Sequence, residues 1–306
     1  MLRLIVARLY QAVFVGFGVS AVVFFVIHLT GGDIAASMLP DWATAEQVTQ
    51  FRHEMGLDLP VYEQYLHWLG GVLHGDFGSS FRNDLPAMEL IAERIPATAQ
   101  LATLAEVVAL IVAFPLGILA AVHRGSWWDR ACMALALLGQ SVPHFWLGLM
   151  LILVVAVQAR LLPVSGRDTA TSVILPALTL ATGPLAQLAR LARSGMLEML
   201  GQDFVRTARS KGLAERVVIS RHALRNALLP LVTVVGLELG ALLNGSVVVE
   251  SVFAWPGVGR ALVTALQQRD IPVVEAGVFV IAGVYITVNL LVDLMYAVID
   301  PRVRYR

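Results

Sequence analysis

The sequence predicts an all-α integral membrane protein with six transmembrane helices and an extracytoplasmic module between the first and the second. Three observations predict it: an apolar composition, six runs of bilayer-spanning length, and a one-sided distribution of arginine. Of 306 residues, 58% are hydrophobic and 14% charged, with a mean hydropathy of +0.74. A soluble domain is about half apolar and a quarter charged. The formal net charge of +0 argues against nucleic acid as a partner, and so much apolar sequence calls for lipid.

A hydrocarbon core about 30 Å thick needs about 20 apolar residues at 1.5 Å rise each. Runs of that kind cover Leu9–Leu29, Ala97–Val122, Cys132–Val157, Ile174–Leu191, Leu228–Val249 and Val274–Val298. The fourth is interrupted by Pro176 and by the pair Gly183 and Pro184, which predicts a kink that packed neighbours make tolerable. The first is too long for the 7 to 15 apolar residues of a signal sequence and is expected to remain as an anchor. Cys132, the single cysteine, lies within an apolar run and is expected to be a core residue, with no disulfide or thiol metal cluster.

Orientation follows from arginine and lysine in the short connections. One side holds Arg3, Arg8, Arg124, Arg130, the series Arg190, Arg193, Arg206, Arg209, Lys211, Arg216, Arg221 and Arg225, and finally Arg302, Arg304 and Arg306. The other side holds Arg160, Arg167, Arg260 and Arg269. Both termini and the 194–227 loop are therefore expected in the cytoplasm. The chain divides into 1–30 with the first span, an extracytoplasmic module 31–96, a transmembrane core 97–299 that includes the cytoplasmic loop, and a tail 300–306. The module carries ten acidic residues against Arg52, Arg82 and Arg94. That excess reads first as a solvated surface and second as attraction for a cation or docking partner. Within it, Ala45–Met55 and Tyr62–Leu73 are expected to be helical, with Thr44 as N-cap and Pro60 as separator, and Gly75–Ser80 as a turn.

The 194–227 loop is long, basic and helix-forming. A helix is expected over Met196–Lys211, ended by Gly212 in a positive-φ conformation, and a second from Glu215 through Arg225 to Pro230. Glu198, Asp203 and Glu215 among the arginines suit a protein socket better than an anionic lipid surface. A phosphate-binding loop needs glycines followed by Lys and Ser or Thr. The only lysine, Lys211, precedes Gly212, so nucleotide hydrolysis is expected on another subunit.

Four stretches resemble the permease subunits of bacterial dipeptide, oligopeptide and nickel importers of the ATP-binding-cassette class. They are Gly75-Asp76-Phe77-Gly78-Ser79-Ser80-Phe81-Arg82; Asp203–Gly212 continuing to Arg221–Ala227; Val252–Arg260; and Asp300-Pro301-Arg302. The resemblance covers nearly the whole chain and implies the type I importer permease fold. It also implies a bacterial inner-membrane location and peptide import by alternating access, with nickel or glutathione as alternatives. The implied partners are a second homologous permease, two ATPases that bind ATP and magnesium, an extracytoplasmic substrate-binding protein and membrane lipid. No cofactor, metal or catalytic residue is expected on this chain. The loop is similar to the motif in which Glu-Ala-Ala and a following glycine form a helix that couples to the ATPase. Here Arg206, Thr207, Ala208 and Gly212 align with it and the acidic residue is absent. Asp203, Arg206, Thr207, Ala208, Arg209, Lys211 and Gly212 are thus the candidate coupling residues. Arg206 and Arg209 would meet acidic socket groups, and the small Thr207 and Ala208 would allow close approach.

Charged groups within spans are costly, about 3 kcal/mol even on the milder scales, so Glu106, Glu238 and Asp293 stand out. Glu106 and Glu238, near mid-span, are candidates for the translocation pathway or gate, with hydrogen-bonded packing as the other reading. Asp293 lies nearer the cytoplasmic end. Asn244, together with Asn289, reads as an interhelical hydrogen-bond group, and Asn244 is carried as a pathway candidate as well. A proton-coupled carrier would use such acids, yet no inverted repeat is evident beside the large basic hairpin. Ser194, or Ser141 with His144, lacks the third group of a hydrolase. The seven histidines form no pair at ligand spacing.

Overall fold

A computed structural model describes residues 2–30, 35, 39, 43–54 and 56–299. The side chains of 2–5, 7–9, 27–30, 229–230, 232–233, 244–245, 293 and 295–299 lie outside that description. So does the Asp300-Pro301-Arg302 stretch.

In chain order the helices are α1 (Leu2–Thr30), α2 (Ala45–Glu54), α3 (Val61–Leu73), α4 (Ala87–Ala92), α5 (Ile95–Val122), α6 (Trp127–Ser141) and α7 (His144–Leu151, extended by a π-helical stretch Ile152–Gln158). They continue as α8 (Ile174–Leu200), α9 (Asp203–Ser210), α10 (Glu215–Val217, followed by a π stretch Val218–Ala223), α11 (Leu224–Val252), α12 (Val258–Gln268) and α13 (Ile271–Ile299). All six predicted runs fall on helices. Among the described residues, Ala87–Val122 and Ile271–Val292 are long and apolar enough to cross a bilayer.

The third run departs from expectation. It is not one rod but two helices, Trp127–Ser141 and His144–Gln158, bent by 99°. Pro143 supplies the cause. It has no N–H to continue α6, and it drives the preceding Val142 into extended backbone at φ −85°, ψ 125°. In the fourth run, by contrast, α8 runs helical through Pro176 and Pro184. Pro176 occupies the first turn, where no intrahelical donor is lost.

The chain separates into two compact units, residues 1–97 with 256–286, and residues 98–255 with 287–306. In the first, the module helices follow local signals. Thr44 caps α2 as expected, accepting from Gln47 N at 3.3 Å, while the Gln47 side chain accepts from Thr44 N at 2.9 Å, a reciprocal capping box. Helix α3 faces α1 through Tyr65, whose hydroxyl lies 2.9 Å from Ser20 Oγ and whose ring meets Phe17 and Phe24. Val72, Phe77, Ala87 and Ile91 close a core with Val258, Ala265, Val273 and Ala276.

In the second unit α8 is the central element, packed on α6, α7 and α11. Small residues make this possible. Gly117 of α5 sits so close to α8 that a Cβ there would lie 2.7 Å from Ala189 O and 2.7 Å from Ala192 Cβ, the small-residue contact by which membrane helices approach. At the start of α6, Ser126 caps Asp129 N, and the Asp129 carboxylate accepts from Gly125 N at 3.0 Å. Arg193 of α8 closes on the same carboxylate with two hydrogen bonds, at 2.6 and 2.7 Å.

Candidate coupling and translocation sites

The hairpin over 194–227 is built by two breaks in helical backbone. Helix α8 stops at Leu200, Gln202 adopts extended backbone, and α9 begins at Asp203. The single helix expected over Met196–Lys211 is therefore two helices. Glycine and glutamine at 201–202 halt the first, and Asp203 favours a new first turn through its charge at the N-terminus. Helix α9 ends in a Schellman closure, with Gly212 N donating to Arg209 O at 2.9 Å and Leu213 N to Ala208 O at 3.4 Å. Gly212 has φ +74° with no atom near its absent Cβ, so glycine is required there by backbone geometry alone. The return strand of the hairpin runs through α10 and its π stretch directly into α11, past the Pro230 at which the second helix was expected to stop.

One face of α9 is anchored. Val205 and Ala208 are buried against Val218 and Leu200, while Asp203, Arg206, Thr207, Arg209, Lys211 and Gly212 are exposed. Ala208, expected beside a partner, turns inward. Its small side chain serves the approach of α9 to its own return arm. Arg206 donates to Asp203 at 3.2 Å. Arg209 reaches across the Gly212 turn to Glu215, Nη2 to Oε1 at 2.6 Å and Nε to Oε2 at 3.2 Å. This contact holds the Glu215 carboxyl below its ordinary range and raises Arg209 further, the side-chain hydrogen bond being the larger cause in each. The base of the hairpin is fixed by Met196, Ala223 and Ala227 packing with Ala121 at the end of α5.

The intramembrane acids divide into two kinds. Glu250 on α11 is fully buried and accepts from Thr98 Oγ1 of α5 at 2.8 Å and from Ser246 Oγ at 3.0 Å. It therefore ties α5 to α11. Glu106, two turns farther along α5, is 4% exposed, and neither of its oxygens has a hydrogen-bond partner. Glu238 of α11, the second of these candidates, is half-buried. The Asn244 and Asp293 side chains lie outside the described residues. Glu250 and Glu275, both buried, each stand at the edge of an apolar run, where hydropathy does not mark them as mid-span charges.

The segment Val252–Arg260 carries large buried aromatic groups. Phe253 and Trp255 are each 1% exposed, and the Arg167 guanidinium lies 5.7 Å from the Trp255 ring centre while its Nε donates to Gln100. In the other unit, Phe81 N and Ser80 Oγ both donate to the Asp270 carboxylate, and Arg82 donates to Gln268 O at 2.8 Å. These bonds explain the Gly75–Arg82 stretch as a tether to the turn before α13. Beside them lies a cavity of about 310 Å³ lined by Asn83, Arg94, Arg260 and Thr264 among others. Among the described residues no group of three His, Cys, Asp or Glu is placed to hold a metal ion.

Comparison with known proteins identifies the family and the fold. Residues 113–305 match the family model of the binding-protein-dependent transport system inner membrane component, and residues 1–102 match the model of its N-terminal part. The dipeptide transport system permease protein DppB of Escherichia coli (strain K12) is 43% identical, with 100% of each chain covered. The glutathione transport system permease protein GsiC of the same strain is 41% identical, again over 100% of both chains. Among solved structures, two inward-facing forms of the MetNI methionine ABC transporter match 70% of this chain and 97% of theirs at 18% identity. Their TM-scores are 0.56 and 0.60.

Proposed function

This chain belongs to the family of inner-membrane components of binding-protein-dependent transport systems, and from that premise we propose that it is the translocation subunit of a di- or oligopeptide importer. It pairs with a second homologous permease and two ATPases, receives substrate from an extracytoplasmic binding protein, and keeps both termini in the cytoplasm. ATP and magnesium bind the ATPases, and this chain supplies no catalytic group and binds no cofactor.

The observation that carries the coupling role is the two-sidedness of α9. Val205 and Ala208 are buried while Arg206, Thr207 and Lys211 face solvent, on a helix whose return arm is continuous with α11. A partner pressing on the exposed face moves a transmembrane helix rather than a loose loop. The peptide reading rests on the 43% identity to DppB over the whole of both chains. Glutathione, itself a tripeptide with a free amino group, is the second reading, favoured by GsiC.

The test is transport and ATP hydrolysis measured together in a reconstituted complex, with assembly checked, for Arg206→Glu and Gly212→Val. The charge reversal probes the contact, and the valine forbids the turn. Both variants should lower peptide transported per ATP or weaken ATPase association. Assembly and a normal transport ratio in both would overturn the coupling assignment.

A further inference from the structure

The cavity beside the Ser80–Asp270 tether is built wholly within the first compact unit, between the end of the module and α12. At about 310 Å³ it falls in the range of about 300–1,000 Å³ that holds small molecules, and it is larger than a lone ion needs. Two arginines line it, Arg94 just before α5 and Arg260 on α12, and both are exposed. Among the lining residues Asp270 is the acidic one, and it is buried with its carboxylate already accepting from Ser80 Oγ and Phe81 N. The lining thus carries one net positive charge, within a module whose surplus is acidic. Asn83, Thr264 and Gln268 add neutral polar groups, while Leu90, Ala261 and Val273 add apolar surface.

The depth of the cavity is fixed by two spanning helices that begin beside it. Arg94 stands three residues before the apolar run that opens at Ala97, and Asp270 four residues before the run that opens at Val274. Both lie within about one helical turn of the hydrocarbon, a rise of about 6 Å, which is the depth of one headgroup layer. A cationic, partly apolar cavity at that level suits a phosphodiester, whose single negative charge and two free oxygens a guanidinium can meet bidentately. A choline or ethanolamine headgroup would bring an ammonium against two guanidinium groups, and Asp270, already bonded, is not placed to receive it. A glycerol headgroup brings hydroxyls instead.

We propose that this cavity seats the phosphate of an anionic phospholipid of the phosphatidylglycerol type, drawn from the leaflet on the module's side. Arg94 and Arg260 clasp the phosphate, Asn83, Thr264 and Gln268 meet the glycerol hydroxyls, and the apolar surface leads the acyl chains toward the bilayer. Because one arginine precedes α5 and the other belongs to α12, the lipid ties α12 to the module.

The experiment uses the complete transporter in nanodiscs doped with photoactivatable phosphatidylglycerol or photoactivatable phosphatidylcholine, with cross-linked peptides read by mass spectrometry. Phosphatidylglycerol should label the segments 83–94 and 260–273 several-fold more than phosphatidylcholine does. Arg94→Gln and Arg260→Gln should each cut that labelling about tenfold, and Arg94→Lys, which keeps the charge without the fork, should cut it less. Arg269→Gln, at an exposed arginine outside the lining, should leave it unchanged. Thr264→Phe, which fills the cavity without altering charge, should also reduce it, so the outcome does not hang on the arginine variants alone. Added phosphatidylglycerol should raise the thermal midpoint of the unmodified complex in detergent and not that of Thr264→Phe. Undiminished labelling in both glutamine variants, or equal labelling by the two lipids, overturns the site. Displacement of the lipid by millimolar inorganic phosphate would make a free anion the occupant and overturns it too. So would a photo-cross-linker at Thr264 that captures the binding protein in place of lipid.

Discussion

Arg193 grips Asp129 through two parallel hydrogen bonds, Nε to Oδ1 at 2.6 Å and Nη2 to Oδ2 at 2.7 Å, and so joins the first turn of α6 to the C-terminal half of α8. The Asp129 carboxylate is nearly enclosed, and the guanidinium is the more exposed partner. Hydrogen bonds to charged groups contribute about 1.5 to 3 kcal/mol, and deleting one partner strands the other. Asp129→Ala should therefore lower the thermal unfolding midpoint of the purified protein more than Asp129→Asn does. The exchange Asp129→Arg with Arg193→Asp should recover part of the loss. A double variant no more stable than Asp129→Arg alone would show that the pair is not the tie.

The orientation is open to direct chemical test. A cysteine introduced at Asp58, exposed in the module, should react with a membrane-impermeant maleimide in intact cells, whereas Cys132, 3% exposed, should remain unmodified. Reaction at a Ser210 cysteine in intact cells would invert the assignment of sides.

Much of this architecture is legible locally. The six apolar runs land on helices, Thr44 with Gln47 marks the start of α2, and Gly212 marks the end of α9, because each depends on residues within a turn of one another. What escapes such reading is contact at long range. Nothing near Asp129 announces Arg193 sixty-four positions later. Thr98 gives no sign of serving Glu250, 152 positions away. Pro143 was visible, but hydrophobicity averaged over a run outweighed the conformational restriction that proline places on Val142, and the 99° bend followed. Of the candidate site, the solvent-facing positions of α9 follow its sequence. The inward turn of Ala208 does not, since which side of a short helix is buried is decided by the arm that returns beside it.

The Arg209 and Glu215 contact predicts a pH response of the hairpin. The carboxyl of Glu215 is depressed in the folded protein. Its contribution is thus present above the unfolded glutamate value of about 4.3 and is lost as pH falls through the lower folded value. Protection of the amides across 203–217, taken relative to their intrinsic exchange at each pH, should fall on acidification through that window. Glu215→Gln should show faster exchange already at neutral pH and a flatter acid response. An unchanged profile in the variant would locate the clasp elsewhere.

Gly117 predicts an asymmetric tolerance on α5. Alanine there places a methyl group against the Ala189 carbonyl and Ala192, an overpacking that costs about 1 to 3 kcal/mol. Alanine at Gly16 of α1, where no atom lies within 4 Å, should be neutral within about 0.5 kcal/mol. Thermal unfolding of the two variants in the same detergent checks the contrast, and equal midpoints would contradict it.

The continuity of the hairpin with α11 has a mechanical consequence. Helix α11 bends by 48° between Val234–Leu243 and Ser246–Val252, so its arm from the hairpin to Leu243 is about 30 Å long at 1.5 Å per residue. Pivoted near one end, such an arm would convert a tilt of about 5° into a sweep of about 2.6 Å at the other end. The π stretch Val218–Ala223 sits at the foot of that arm, where one extra residue per turn loosens the axial spring without severing it. Any displacement of α9 would reach the spans through this arm, in a ratio set by the length of helix before the bend.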